Sequence, residues 1–194
     1  MARRLAASHE VVGTYHLINH PIAGCRLVQL DLSQEAAFRP MILEERPECI
    51  IHAAAMANPE SCEKNLSLAE TVNVNSTSAL AALAQEIGAR FLYISTDLVF
   101  DGEKAPYREM DATNPLSTYA RTKLAGEVQT FKRYPQACVL RLSLCYGWKQ
   151  AGPPTFTDFL YQSLSQGKPV KLFKDQIRST LYIEDAAEML ARLI

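Results

Sequence analysis

In "LSTYARTKLAGE", residues 116–127, a tyrosine and a lysine stand four positions apart. On a helix, residues i and i+4 share a face, so the Lys123 ammonium would lie beside the Tyr119 phenol. A neighbouring cation favours phenolate and lowers a pKa that starts at about 10. A phenol tuned in this way can hand a proton to a developing alkoxide near neutral pH. The spacing alone is a weak signal. With eight tyrosines and eight lysines in 194 residues, one Y-x-x-x-K falls by chance about a third of the time. Placement carries the weight instead: no other tyrosine has a lysine four residues on, and this pair follows a strand-like run ending in Ser95-Thr96-Asp97. A hydroxyl from that strand end, Thr96 or Ser95, could hold the carbonyl being reduced.

Other reactive residue types are less well arranged. The five cysteines (Cys25, Cys49, Cys62, Cys138, Cys145) are odd in number, never spaced C-x-x-C, and several lie in apolar runs where a thiol acts as a small hydrophobe. This usage points to a cytoplasmic protein without disulfides or zinc. His16 and His20 have a spacing a metal could use, but the stretch ends in Pro21 with no carboxylate or thiol nearby in sequence, so a solvated loop pair is expected. A net charge of −1 gives no basic excess of the kind a nucleic-acid surface needs. No segment approaches the roughly 18–20 apolar residues of a membrane span.

The elements that must position Tyr119 and Lys123 alternate between short apolar runs and helical patterns, the signature of a parallel sheet covered on both faces. "HEVVGTY" (9–15), "CRLVQLD" (25–31), "ECIIHAAA" (48–55), "ARFLYISTD" (89–97) and "ACVLRLSL" (137–144) read as strands. Ser33 is placed to cap a helix over 34–45, with Pro47 marking its end. Residues 66–87 carry apolar positions at helical spacing and stop at Gly88. Asn114 and Pro115 stand where an N-cap and first helical residue belong, opening a helix to about Tyr134. Beyond Gly147 come Gly-Pro-Pro, a helix near 155–166, two short strand-like pieces and a last helix from 183. The expected fold class is α/β, a doubly wound, Rossmann-like parallel sheet. Such sheets bind ligands beyond the C-terminal ends of their strands. Asp31–Leu32, Ala53–Ala55, Ser95–Asp97 and the Tyr119–Lys123 helix all fall at that rim.

"YISTDLVFDG", then "NPLSTYARTKLAGE", then "LRLSLCYG", with the tail "FKDQIRSTLYIEDAAEML", resembles the extended short-chain dehydrogenase/reductase superfamily. The branch it is most similar to is the one typified by dTDP-4-dehydrorhamnose reductase. The resemblance covers nearly the whole chain. It implies a reductase of a keto group on a sugar or nucleotide-sugar, using NADP or NAD. By it Tyr119 is the catalytic acid, Lys123 its partner and a ligand of the nicotinamide ribose, and Thr96 the carbonyl-binding hydroxyl, with Ser95 and Asp97 beside the substrate. Asp31 and Leu32 would touch the adenine, and Ala53, Ala54 and Ala55 would line the pyrophosphate and ribose. Asn73, in "VNVNST", matches the branch's helix asparagine near the site; a polar turn on a surface helix is an equally good reading. The branch also contains the regulatory beta subunit of methionine adenosyltransferase, so a non-catalytic role with a protein partner, or a homodimer, is the alternative.

The chain departs from the family pattern in four places. The opening strand and G-x-x-G-x-x-G turn, whose amides hold the pyrophosphate, have no counterpart. Gly147 to Gly152 is no phosphate loop, because proline follows it. Leu98 and Leu144 replace two aromatics that would face the nucleotide-sugar, so the resemblance stops short of the deoxythymidine-linked hexose itself. The second strand of the family pattern ends in Gly13-Thr14-Tyr15-His16, with no acid to grip a ribose 2′-hydroxyl, which leans towards NADP. The sheet is therefore expected to lack its first strand and the small C-terminal substrate domain to be incomplete. On this reading residues 1–147 form the dinucleotide-binding domain, 148–180 part of the substrate domain, and 181–194 a helix returning to the main domain. A longer parent protein accounts best for this pattern, the alternative being a diverged remnant whose sheet has rearranged, and the 194-residue chain alone is expected to turn over poorly.

Overall fold

Near-continuous apolar runs make strands that are covered on both faces, and the sheet around the Tyr119 helix is built from three of them. The computed structural model describes residues 1–148 and 155–194, so the Gly152 end of the rejected phosphate loop lies outside the described residues. The chain separates into two compact units, one of Met1–Thr14, Ile18–Val28 and Leu142–Ile194, the other of Tyr15–Leu17 and Gln29–Arg141.

The unit running from Gln29 to Arg141 contains β3 (Cys49–His52), β4 (Arg90–Thr96) and β5 (Cys138–Leu142, to Arg141) in the order β3-β4-β5. β3 runs parallel to β4 with Cys49 opposite Arg90 and His52 opposite Tyr93. Its helices are α2 (Glu35–Glu45), α3 (Pro59–Lys64), α4 (Leu66–Glu70), α5 (Ser76–Ile87) and α6 (Thr118–Arg133). Phe38 and Ile42 of α2, Leu80, Leu83 and Ala84 of α5, and Phe91 and Tyr93 of β4 fill one core. α5 ends where expected, at Gly88 with φ 74°, a left-handed turn that glycine adopts without a Cβ penalty.

The other unit contains most of β1 (Val11–Tyr15) and β2 (Cys25–Gln29), which pair with each other, together with α1 (Ala2–Leu5). It continues with β6 (Leu144–Tyr146), α7 (Phe156–Ser165), β7 (Thr180–Tyr182) and α8 (Ile183–Ala191). β6 and β7 run parallel, and Thr155 and Asp158 form a reciprocal capping box at the start of α7. Leu5 of α1 is buried, as are Ala186, Ala187 and Leu190 of α8, and Arg4 reaches Glu188 at 2.9 Å.

The α/β architecture with parallel strands is as expected. The strands fall into separate sheets, β1-β2 and β3-β4-β5.

Several boundaries differ from expectation, each for a local reason. Ser33 does not cap α2: its amide is turned onto Asp31 Oδ1 at 2.9 Å, and Gln34 is the N-cap. The expected 66–87 helix is α4, a wider π turn at Thr71–Asn75, and α5. α6 starts at Thr118 with Ser117 as cap, because Asn114 is engaged elsewhere: its amide nitrogen donates to Asp101 Oδ2 at 3.0 Å and its backbone N–H to Val99 O at 2.9 Å. The 137–144 strand breaks after Leu142, and Leu144 begins β6. Of the two short strand-like pieces, β7 is the one formed among the described residues.

Candidate active site

β4 delivers Ser95 and Thr96 to its C-terminal end, both buried, and Asp97 opens a single 3-10 turn, Asp97–Val99. Thr96 Oγ1 accepts from the Leu98 amide at 3.2 Å and donates to Asp97 Oδ1 at 3.3 Å, which fixes the turn. Tyr119 sits in the first turn of α6, half-buried, with the Thr96 hydroxyl near its phenol. That first turn is held from outside as well: Glu63 accepts from the Thr118 amide at 2.8 Å and from its hydroxyl at 2.6 Å. Thr96 and Tyr119, which the sequence reading paired, are thus brought together.

The expected tuning of the phenol is corrected by where Lys123 points. Lys123 is 2% exposed, its Nζ donates to the Ile94 carbonyl at 2.7 Å, and it lies 4.0 Å above the centre of the Tyr93 ring. Burial lowers the Lys123 pKa to about 8, against the pull of Glu127 in the opposite direction. Burial pushes the Tyr119 phenol up, the acidic groups of Cys62 and Asp97 push the same way, and the nearby Thr96 hydroxyl resists. Tyr119 therefore keeps its proton at neutral pH. A protonated phenol is the form a carbonyl reduction requires of its acid.

Ser95 faces away from this role, since its hydroxyl donates to Glu127 Oε1 at 2.5 Å. Asp97 stays beside Tyr119 and acts on it electrostatically. Asn73 is 1% exposed, so the surface-turn reading is wrong. From the π turn its side chain accepts from the Met56 amide at 2.8 Å and donates to the Met56 carbonyl at 3.1 Å and to Thr122 Oγ1 at 2.9 Å. Asn73 thereby ties the segment after β3 to the inner face of α6.

That segment contains Ala53 and Ala54, both exposed, and Ala55, half-buried. Three methyl side chains leave the backbone there open to a close-lying ligand. Asp31 follows β2 with its carboxyl held below the usual range, mainly by the Ser33 hydrogen bonds, and its Oδ2 is 3.8 Å from His16 Nε2. The carboxylate absent near His16 in sequence is thus supplied by the fold, though no group of three or more metal-ligating side chains forms among the described residues. Leu32 packs on the core. These groups fit the two ends of a nicotinamide dinucleotide: an ionised carboxylate and open backbone for the adenosine side, and Thr96, Tyr119 and Lys123 for the reacting side. The glycine turn that would hold the pyrophosphate has no counterpart in the sequence.

Sequence reasoning missed Glu63, Cys62 and the Glu127–Arg141 pair. Cys62 is fully buried with its thiol on the Met56 carbonyl at 3.1 Å, and nothing in its spacing marked it. Leu98 is half-buried directly after Asp97, and Leu144 lies in the other unit.

The whole chain, residues 1–194, matches the family model described as the RmlD substrate binding domain. Methionine adenosyltransferase 2 subunit beta of Danio rerio is 35% identical over 164 residues, covering 84% of this chain and 50% of that protein. The chain spans about half the length of the curated relatives it matches. A crystal structure of a hypothetical dTDP-4-dehydrorhamnose reductase from Sulfolobus tokodaii superposes with a TM-score of 0.86 at 31% identity, over 99% of this chain and 66% of that one. A dTDP-4-dehydrorhamnose reductase from Bacillus anthracis in complex with NADP gives 0.82 at 26% identity, over 95% and 69%. The motifs and these matches agree, and the chain belongs to the RmlD substrate-binding-domain family, in the dTDP-4-dehydrorhamnose reductase-like branch of the extended short-chain dehydrogenase/reductases.

Proposed function

We propose that this chain forms the cofactor-facing and proton-donating part of an NAD(P)-dependent reductase acting on a keto group of a sugar or nucleotide-sugar. The observation that carries this is the half-buried Tyr119 phenol beside the Thr96 hydroxyl, one helical turn from a buried lysine, at the end of a parallel strand. The nicotinamide, when bound, supplies the hydride. Thr96 holds the substrate carbonyl oxygen, and Tyr119 gives that oxygen its phenolic proton. Lys123 steadies the floor of the site through Ile94 and contributes to binding the nicotinamide ribose. Asp31, Leu32 and Ala53–Ala55 line the adenosine side, and Ser95 and Asp97 shape the substrate side. Residues 1–147 serve as the dinucleotide-binding domain, 148–180 as part of the substrate domain and 181–194 as a returning helix. A nicotinamide cofactor is supported by the NADP complex of the Bacillus anthracis relative, and NADP by the lack of an acid at Thr14–His16. No described helix is long and apolar enough to cross a membrane, and a cytoplasmic setting suits the reaction.

The test is a single-turnover assay, with the chain in excess over a 4-keto nucleotide-sugar and NADPH present. Keto-dependent loss of NADPH that disappears in Tyr119→Phe supports the reading; NADPH loss unchanged by that substitution overturns it. The similarity to methionine adenosyltransferase 2 subunit beta favours a second reading, a non-catalytic subunit of an assembly. Recovery of one stoichiometric protein partner, with no keto-dependent NADPH loss, would favour that role.

A further inference from the structure

Glu127 is a buried carboxylate on the same face of α6 as Tyr119 and Lys123, one turn beyond the lysine and two beyond the tyrosine. An acid in such a place requires partners, and it has them on two strands. Arg141 on β5 donates to it through Nε at 3.1 Å to each oxygen and through a terminal nitrogen at 2.7 Å to Oε2. Ser95 on β4 donates to Oε1. Arg141 is itself held by the Glu109 carbonyl at 3.1 Å and by the face of Phe100, 5.0 Å from its ring centre. The buried cluster therefore contains two cations, Lys123 and Arg141, and one anion.

We propose that Glu127 is a positioning residue for the Tyr119–Lys123 pair: clamped to β4 and β5, it supplies the negative charge that balances the buried Lys123 ammonium and keeps it donating to Ile94. This rests on the reading of Tyr119 and Lys123 as the acid and its partner. The other groups that face Lys123 are Tyr93 on β4, which meets it with its ring, and His52 on β3, which stays neutral; Tyr119, one turn back on the same helix, keeps its proton. None of these brings a negative charge at neutral pH, so the balancing falls to Glu127. Arg141 draws part of that charge away. An electrostatic role and a purely mechanical clamp therefore differ in sign: removing Glu127 and removing Arg141 must move Lys123 in opposite directions.

The experiment is a titration of Lys123, followed by nuclear magnetic resonance of the terminal side-chain carbon in chain labelled at lysine and assigned with Lys123→Met. It needs neither cofactor nor substrate, so it stands or falls separately from the reductase assay. In Glu127→Gln, which keeps an acceptor for Ser95, the Lys123 midpoint is expected to fall by about one pH unit, a tenfold loss of proton affinity. In Arg141→Met it is expected to rise. A folded Glu127→Gln chain whose Lys123 midpoint is unmoved overturns the proposal. If Glu127→Gln does not fold, Arg141→Met decides: a higher midpoint supports the proposal, and an unchanged or lower one overturns it.

Discussion

Asn73 on the π turn and Thr122 on α6, 49 positions apart in sequence, are joined by a buried 2.9 Å hydrogen bond. The same amide holds both backbone groups of Met56, so one side chain fastens three segments around the candidate site. Replacing it with alanine strands the Met56 amide and takes a donor from the Thr122 hydroxyl, which still donates to the Tyr119 carbonyl at 2.8 Å. An orphaned buried amide costs about 1–3 kcal/mol and a lost hydrogen bond about 1 kcal/mol, so Asn73→Ala is expected to lower unfolding free energy by about 2–4 kcal/mol in a denaturant titration.

Gly126 lies where α6 packs tightly on the π turn and on the Tyr93 side chain. A Cβ there would stand 2.8 Å from the Asn73 carbonyl oxygen and closer still to the Tyr93 hydroxyl. The carbonyl belongs to backbone and cannot swing aside. Gly126→Ala is expected to lose about 1–3 kcal/mol, visible as a lower denaturant midpoint, despite alanine's better helix propensity.

His52 sets part of the acid limit. Buried against Tyr93 with its Nε2 on Thr77 Oγ1 at 2.9 Å, its pKa is lowered from 6.5 to about 3 by burial, with Lys123 adding to the effect. In the unfolded chain it takes a proton below about 6.5 while the folded form stays neutral, so stability is lost as pH falls through that window. The loss amounts to at most about 5 kcal/mol at the acid end. Unfolding measured from neutral pH down to about pH 4 is expected to fall less steeply in His52→Gln than in the native sequence.

Tyr119→Phe removes the proton and keeps the ring. It is expected to abolish keto reduction while leaving folding and whatever dinucleotide binding the chain has nearly unchanged, as read by circular dichroism and NADPH fluorescence. Because burial raises the phenol above its ordinary range, the acid form persists throughout neutral pH. Activity limited by Tyr119 should therefore hold steady across that range and decline only in strongly alkaline solution.

The missing glycine turn gives a prediction about affinity. Backbone amides at a helix N-terminus are the usual hold on a pyrophosphate, and this sequence has no such turn. NADPH titrated into the 194-residue chain is expected to give no saturable fluorescence change at micromolar concentrations; a tight, saturable signal would show that Ala53–Ala55 and their neighbours suffice.

The strands were readable because each is a short, mostly apolar run, and Tyr119 and Lys123 because an i, i+4 pair needs only a helix to share a face. Placement of Thr96 beside Tyr119 followed from strand–helix order. Reading failed where a polar side chain had two suitors. Asn114 is a good cap by type, but Asp101 takes its side chain, leaving Ser117 to start α6. Ser33 is drawn to Asp31 through its backbone amide. Asn58 and Pro59 did mark a helix start, that of α3, and this signal was overlooked. The Lys123 ammonium turned from Tyr119 because Ile94 and Tyr93 offer it a carbonyl and an aromatic face, neither of which spacing can reveal. Glu127 and Arg141, 14 residues apart on different elements, had no pattern to announce them.

The wide turn at Thr71–Asn75 carries one residue more than a regular winding would need, and such insertions are frequent at functional sites. Excising a single residue from this stretch would straighten the rod and swing Asn73 by roughly a quarter of a revolution, off Met56 and Thr122. The shortened protein could gain local helical order while the floor beneath Ala53–Ala55 came adrift, so regularity and readiness for a ligand are opposed at this one spot in the chain.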